Sequence, residues 1–427
     1  MRSDQATTTR PARAPGLVPF MLLLPGLAYY LWWCVVEWEG ALAVPGPDFW
    51  RAVPLPTGKA ALIFGGWLLF QGLLSVWAPG PRVDGAPLAD GRRLRYRMNG
   101  WWAWWLSWLA LGAIVGAAGA VRGVDGALSV ATAPADELGP LMSTANLFTL
   151  AFCLYLYVQG RRHPDDGAPA VRGRALHDYV MGTSLNPRLR GFDWKLFFEG
   201  RPGLIGWAAL DLSLAAKQYQ SHGAVTTPML LVCLFQVWYV ADYFFHEEAI
   251  LTTWDIKHEK FGWMLCWGSL VWVPFTYTLP ALYLVNQSHG MSGWAVAGTV
   301  ALFVVGYVIS RGANAQKHGF RQDPAARLRW WGGPPRYVAT RQGTPLLASG
   351  FWGVGRHLNY LGDLLMGLAW CLPCGFQHVL PYFYVVYLGV LLVHRERRDH
   401  ARCARKYGQD WDAYCARVRW RIVPGLY

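Results

Sequence analysis

The chain has 427 residues, 54% of them hydrophobic and only 15% charged, with 25 tryptophans and a formal net charge of +13. That composition excludes a soluble enzyme, because runs of about twenty mostly apolar residues recur along it, each long enough to cross a bilayer core. The positive charge requires no nucleic acid, since Arg and Lys accumulate in the cytoplasmic loops of such proteins. The fold class is therefore all-α polytopic membrane protein.

About ten transmembrane helices are expected, near residues 16–36, 60–78, 99–121, 139–158, 202–218, 227–250, 261–284, 292–310, 361–375 and 378–394. Residues 1–15 are polar and basic, and the apolar run after them is too long for a signal-peptide h-region, so they are expected to form a cytoplasmic tail before a retained first span. Arg2, Arg10 and Arg13 lie in that tail, and Arg82, Arg92, Arg93, Arg95 and Arg97 fill the second loop. Arg161, Arg162, Arg172, Arg174, Arg188, Arg190 and Lys195 fill the fourth, Lys257 and Lys260 mark the sixth, and Lys317, Arg321, Arg327, Arg329, Arg336, Arg341 and Arg356 the eighth. The first and third loops are nearly neutral or acidic, with Glu37, Glu39, Asp125, Asp136 and Glu137. This alternation places the even loops and both termini in the cytoplasm.

The polar chemistry is concentrated late in the chain, which divides into helices and loops over 16–201 and a catalytic half over 202–427 holding cofactor and substrate pockets. No internal repeat, GxGxxG fingerprint or P-loop occurs, so a nucleotide would have to be held by loops and helix ends. The eight cysteines are scattered, and the one close pair, Cys371 and Cys374, sits at a helix end and implies no disulfide framework.

Five stretches carry candidate chemistry. In MGTSLNPRLRGFDWKLFFEGRPGLIGW, residues 181–207, Asn186-Pro187 starts a turn, and Asp193, Lys195, Glu199 and Arg201 read mostly as paired charges of an interfacial helix. In YVADYFFHEEAILTTWDIKHEKFG, residues 239–262, Tyr239, Asp242, Tyr243 and His246 follow i, i+3, i+4, i+7 spacing and share one helix face beside Glu247. Ionisable groups within a span are costly and are functional candidates for that reason. His246-Glu247 is not HExxH, and no metal site is expected.

In NAQKHGFRQDP, residues 314–324, Lys317 and Arg321 are one turn apart and present two cations to one side, a geometry suited to a phosphate. FWGVGRHLNYLGD, residues 351–363, gathers Trp352, Arg356, His357, Asn359, Tyr360 and Asp363 around three glycines and reads either as a pocket or as an interfacial turn. In the last stretch, residues 391–427, Arg395, Asp399 and Cys403 repeat every fourth residue and Tyr407 follows, with Tyr414, Arg417 and Arg419 beyond. One stripe of that helix is polar and available to a ligand.

MGTSLNPR, DYFFHEEAILTTWDI, LVWVPFTYTLPALYL, NAQKHGFR, GFWGVGRHLNYLGD and HRERRDHARCARKYGQDWDAYC together resemble the sterol reductase family, which includes the Δ14- and Δ7-sterol reductases and the membrane part of the lamin B receptor. The likeness runs from about residue 15 to the end and is greatest to the Δ14-sterol reductases. It implies a ten-span fold that reduces a ring double bond of a sterol with NADPH. An isolated C=C bond is not electrophilic enough for hydride attack, so an acid must first protonate it to a tertiary carbocation that the cofactor then quenches.

The resemblance makes Lys317 and Arg321 phosphate ligands and Trp352 a stacking partner for a cofactor ring, while Asn359, Tyr360, Arg395, Asp399, Tyr407 and Tyr414 supply hydrogen bonds. Tyr239, Asp242 and His246 are the candidates for proton delivery, with Tyr277 as a second donor. The expected partners are a sterol drawn from the bilayer and membrane lipids, with no nucleic acid and no obligate protein partner. Arg greatly exceeds Lys and Ala and Gly are abundant, a bias that favours a bacterial cytoplasmic membrane; a eukaryotic origin would imply the endoplasmic reticulum.

Two rival readings follow from the same residues. RHLNY and the arginine-rich helix after it also resemble the RHPxY element of isoprenylcysteine carboxyl methyltransferases, which use S-adenosylmethionine, but Leu358 replaces the proline, those enzymes are much shorter, and they leave MGTSLNPR and the HEE span unexplained. A non-catalytic sterol-binding protein would have eroded cofactor motifs, and none of the motifs quoted is eroded.

Overall fold

The computed structural model of the chain describes residues 16–88, 91–162, 175–328 and 333–427. The tail over 1–15, and with it Arg2, Arg10 and Arg13, lies outside the described residues, as do Arg172, Arg174 and Arg329. The protein is an all-α multi-pass membrane protein in which seven described helices are long and apolar enough to cross a bilayer: Leu17–Trp38, Gly58–Trp77, Gly100–Asp136, Leu138–Arg162, Thr227–Phe245, Trp263–Leu284 and Gly293–Gln322. The other three expected spans also fall on helices, Trp194–His222, Leu358–Cys371 and Phe383–Tyr407. These are more polar or shorter.

The chain divides into two compact units, one holding the described residues up to Val225 together with Gln236–Gln287, the other Thr226–Phe235 with Ser288–Tyr427. In the first unit, helix ends are tied by side chains that replace missing backbone partners. Thr57 caps Gly58–Trp77 by accepting from the Ala60 N–H at 3.0 Å, and the Asn99 amide donates to the carbonyls of Leu74, Ser75 and Ala78 at that helix's far end. The Gly100–Asp136 stretch is two helices broken at Gly123, whose φ of +68° favours glycine.

The 181–207 cluster is structural. Asp193 caps Trp194–His222 and pairs with Arg188 at 2.8 Å, and the fully buried Lys195 ammonium donates to the carbonyls of Asp255, Ile256 and Glu259. Arg201 meets Glu247 at 3.3 Å, and the other Glu247 oxygen accepts from the Gly100 N–H at 2.8 Å. The first glutamate of the HEE triplet is thus the acidic cap of a helix start, where a negative charge is favoured.

The Trp263–Leu284 segment is irregular, with a π turn over Gly268–Trp272 and prolines at 274 and 280. Where the helix breaks after Thr276, the freed Tyr277 carbonyl accepts from the Gln236 amide at 3.0 Å, and Gln236 in turn accepts from the Trp207 indole at 3.0 Å. A polar chain therefore satisfies the break within apolar surroundings.

In the second unit, Gly293–Gln322 and Leu358–Cys371 approach backbone to backbone. A Cβ added at Gly306 would lie 2.7 Å from the Gly362 carbonyl, and one at Gly362 would lie 2.5 Å from the Gly306 carbonyl. Small residues at such a crossing let membrane helices gain contact that lipid cannot supply. Ser310 fastens the same crossing by donating to Asp363 at 2.8 Å. Beyond it, Ala313, Phe320, Leu328, Leu347, Phe351, Trp352 and Leu358 form a buried cluster that carries the 351–360 turn.

Candidate active site

In the second unit the turn is set by its neighbours. Gly350 has a φ of +61°, and a Cβ there would strike the Gln316 amide, whose oxygen accepts from the Phe351 N–H at 2.9 Å. Trp352 is buried, donates its indole N–H to the Ala313 carbonyl at 2.7 Å, and has the Lys317 ammonium over its ring at 4.2 Å. The cation–π contact directs a lysine that would otherwise be free to rotate.

His357 is the junction. Its ring stacks on Tyr360 with centroids 4.8 Å apart, meets the Trp352 ring edge-on at 6.5 Å, and has Nε2 3.6 Å from an Asp399 oxygen. Burial lowers the imidazole to about 4, with the Asp399 carboxylate opposing the shift, so the ring is neutral at pH 7. Asp399 also accepts from Arg402 and takes the Cys403 thiol at 3.9 Å. Burial and the Asp399 charge push that thiol up to about 11, which leaves it an inert, protonated group.

The structure brings most of the predicted cofactor residues together. Lys317 lies within electrostatic reach of Arg321, Asp399 and Arg402, and Tyr360 within reach of Arg395 and Asp399. Asn359 donates to Asn314 at 3.3 Å. Tyr414 is buried with Trp411, Ala348 and Val418, Tyr407 packs against that cluster, and burial raises the Tyr414 phenol. Asn359 Oδ1 and Arg356 Nε are buried and have no hydrogen-bond partner among the described residues. Buried polar atoms left in this way are where a polar ligand's groups belong.

Arg402 was not legible in the four-residue stripe of Arg395, Asp399 and Cys403, because it reaches Asp399 at i+3. His357 stood in a motif whose glycines and tyrosine drew the reading to Asn359 and Tyr360. Its role depends on Asp399, 42 residues later in sequence, and no local spacing encodes that contact.

The proton-delivery candidates belong to the first unit and form two pairs. Asp242 and His246 lie 3.3 Å apart as predicted from their i, i+4 spacing, the aspartate mostly buried and the histidine nearly half exposed. Tyr239 and Tyr277 both flank the buried Trp207, with centroid distances of 6.2 and 5.2 Å. The described residues contain no group of His, Cys, Asp and Glu arranged to hold a metal.

The chain matches the profile of the ergosterol biosynthesis ERG4/ERG24 family over residues 20–427. It is 52% identical over 412 residues to the Delta(14)-sterol reductase of Methylotuvimicrobium alcaliphilum, covering 95% of this chain and 93% of that protein. It is 40% identical over 430 residues to the Delta(14)-sterol reductase of Dictyostelium discoideum, covering 96% and 90%. Against the Delta(14)-sterol reductase LBR of Gallus gallus it is 42% identical over 389 residues, covering 88% of this chain and 59% of that longer protein.

Proposed function

Because the chain belongs to the ergosterol biosynthesis ERG4/ERG24 family, we propose that it is a sterol reductase that uses NADPH to reduce the C14 double bond of a sterol in sterol biosynthesis. The observation that carries the cofactor assignment is the meeting of Lys317, Trp352, His357, Tyr360, Asp399 and Arg402 in one unit, beside the unpartnered buried atoms of Arg356 and Asn359. These side chains suit a polyanionic dinucleotide that also carries planar rings and hydroxyls.

Lys317 and Arg321, with Arg402 nearby, would take the phosphates, including the ribose phosphate that separates NADPH from NADH. Asn359, Tyr360, Arg395, Asp399, Tyr407 and Tyr414 would bond sugar and amide groups, with Trp352 and His357 as the ring surfaces. NADPH, when bound, supplies the hydride. The chain itself must supply the proton, and the candidates are Asp242 with His246, and Tyr239 with Tyr277. The mostly buried Asp242 carboxyl, 3.3 Å from His246, is the first candidate to deliver a proton to an alkene carbon. The sterol would arrive from the bilayer, and a bacterial cytoplasmic membrane is the favoured location.

The test is product analysis by mass spectrometry after incubating detergent-purified protein with NADPH and a mixture of Δ14, Δ7 and Δ24 sterols. Loss of the Δ14 sterol alone, with gain of its dihydro product, supports the proposal. Reduction at another position would reassign the bond. Absence of any reduction, with methyl transfer from S-adenosylmethionine to a prenylcysteine in a parallel reaction, would replace it by the methyltransferase reading.

A further inference from the structure

Glu396 is an ionisable side chain that the reading above leaves without a role, although it stands next to Arg395 and one turn before Asp399. It is 1% exposed, yet it carries a carboxylate on a helix otherwise lined with solvated cations. Its Oε2 accepts from Arg421 at 3.0 Å and from the Tyr427 hydroxyl at 3.2 Å. Arg421 lies over the Tyr427 ring at 5.4 Å, and the N–H groups of Arg421 and Ile422 both donate to the Tyr427 carbonyl, at 2.8 and 3.0 Å. Residues 421–427 thus close on themselves around one buried carboxylate.

The same segment holds the 351–360 turn. The Arg356 N–H donates to the Trp420 carbonyl at 2.9 Å and the His357 N–H to the Arg421 carbonyl at 2.8 Å, while the Arg356 guanidinium donates to the Cys415 sulfur. Val418 and Ile422, each 1% exposed, bury this segment. Arg421 therefore grips the helix bearing Arg395 and Asp399 with its side chain, and the turn bearing His357 and Asn359 with its backbone.

We propose that residues 418–427 are a clasp that sets the 356–360 turn against the Phe383–Tyr407 helix, with Glu396 and Arg421 as positioning residues for cofactor binding. The inference rests on the cofactor reading for its consequence but not for its geometry. The Glu396 carboxylate is buried while the Arg421 side chain is a third exposed, so the pair adds little net stability compared with apolar packing, whereas removing Arg421 strands a buried carboxylate, and the use of the pair is to fix one arrangement out of several. Here it fixes where Asp399 stands relative to His357.

The test uses the full chain with Glu396→Gln, Arg421→Met, the double variant and Tyr427→Phe, which removes one hydroxyl and keeps the ring. Hydrogen exchange is followed by mass spectrometry on ligand-free protein, and NADPH dependence is followed by steady-state kinetics. Exchange at Arg356 and His357 should rise about tenfold in the two single-charge variants, a shift equivalent to losing roughly 1.4 kcal/mol of local closure. KM for NADPH should rise by about the same factor with kcat at saturation nearly unchanged, because the loss is in binding geometry and not in the chemical step. The double variant should be no worse than either single one, as expected for one shared interaction, and Tyr427→Phe should shift both readouts in the same direction by less.

Unchanged exchange at 356–357 in both single-charge variants would overturn the clasp. Raised exchange with unchanged KM would overturn its role in cofactor binding. Wild-type protein that consumes no NADPH would overturn the cofactor reading instead, and the exchange data would still decide the clasp.

Discussion

Asp399 and Arg395 lie one turn apart on the same helix, but their surroundings give them different work. Asp399 accepts from Arg402 and lies 3.6 Å from His357, so replacing it by Ala removes the carboxylate that both groups face. Asp399→Ala and Arg395→Ala should each weaken NADPH binding by about ten- to a hundredfold with the fold intact, the range expected for a lost charge-assisted bond. Titration calorimetry showing wild-type affinity in both variants would remove the helix from the cofactor site. Asp242→Asn separates the two halves of the chemistry, since it keeps the side chain's shape and discards its acidity. Turnover should fall at least about a hundredfold, the lower end of what a general acid contributes, while NADPH affinity stays near wild type. Full turnover in this variant would exclude Asp242 as the acid. His357 gives a pH signature. Its folded form holds the imidazole near 4, below the usual value of about 6.5, so the unfolded chain takes up the proton first as pH falls. The stabilising contribution is complete above about 6.5 and is lost as pH drops towards 4. The thermal midpoint should therefore fall across that window, and fall less in His357→Gln; equal slopes for the two proteins would show that His357 is not the titrating group.

At the scale of elements, glycine placement carries the second unit's main contact. Gly362→Val would press its side chain into the Gly306 carbonyl and the Ser310 N–H, both 2.5 Å from the new Cβ, and backbone cannot yield there as a flexible side chain could. The helices should separate, lowering the thermal midpoint in detergent by several degrees and costing about 2 kcal/mol or more, as overpacking does. Gly319→Ala, on the partner helix Gly293–Gln322 with open space at its Cβ, is the control and should be neutral. The same pair of glycines shows what was legible in the sequence. The helices themselves were readable from apolar length, as was the i, i+4 meeting of Asp242 with His246, because both depend on local spacing. The carboxylate of Glu247 was not readable as a cap for Gly100, nor Lys195 as a cap for carbonyls 255–259, because each contact joins stretches far apart in the chain. Likewise the sequence of the 391–427 stretch did not show what its many aromatics meet. Its aromatics are explained only once Trp411, Tyr414 and Tyr427 are seen packed or bonded.

For the whole molecule, the number of crossings turns on the three more polar or shorter helices, of which Trp194–His222 can be tested by itself. The alternation of arginine-rich and neutral loops requires that Trp194–His222 cross the membrane, whereas its polar composition keeps it out of the seven helices that meet a simple apolar criterion. The helix has 29 residues, about 43 Å at 1.5 Å per residue, which exceeds the thickness of a hydrocarbon core. Three of its buried polar side chains also meet protein partners: Asp211 accepts from Thr278, Gln218 donates to the Leu284 carbonyl, and Arg201 meets Glu247. A span whose polar side chains meet such partners can be tolerated because its neighbours, not lipid, surround them. Between Val44 and Thr252 lie Gly58–Trp77, Gly100–Asp136, Leu138–Arg162 and Thr227–Phe245, four crossings, or five if Trp194–His222 is added. An odd number puts the two residues on opposite sides, an even number on the same side. Val44 and Thr252 are both exposed, and six of the eight native cysteines are buried, which leaves a low background for thiol labelling. With Val44→Cys and Thr252→Cys, a membrane-impermeant maleimide applied to intact cells should label the first variant only, and should reach the second after permeabilisation. Labelling of both in intact cells, or of neither, would mean that Trp194–His222 does not cross, and the ten-span arrangement with both ends in the cytoplasm would fall with it.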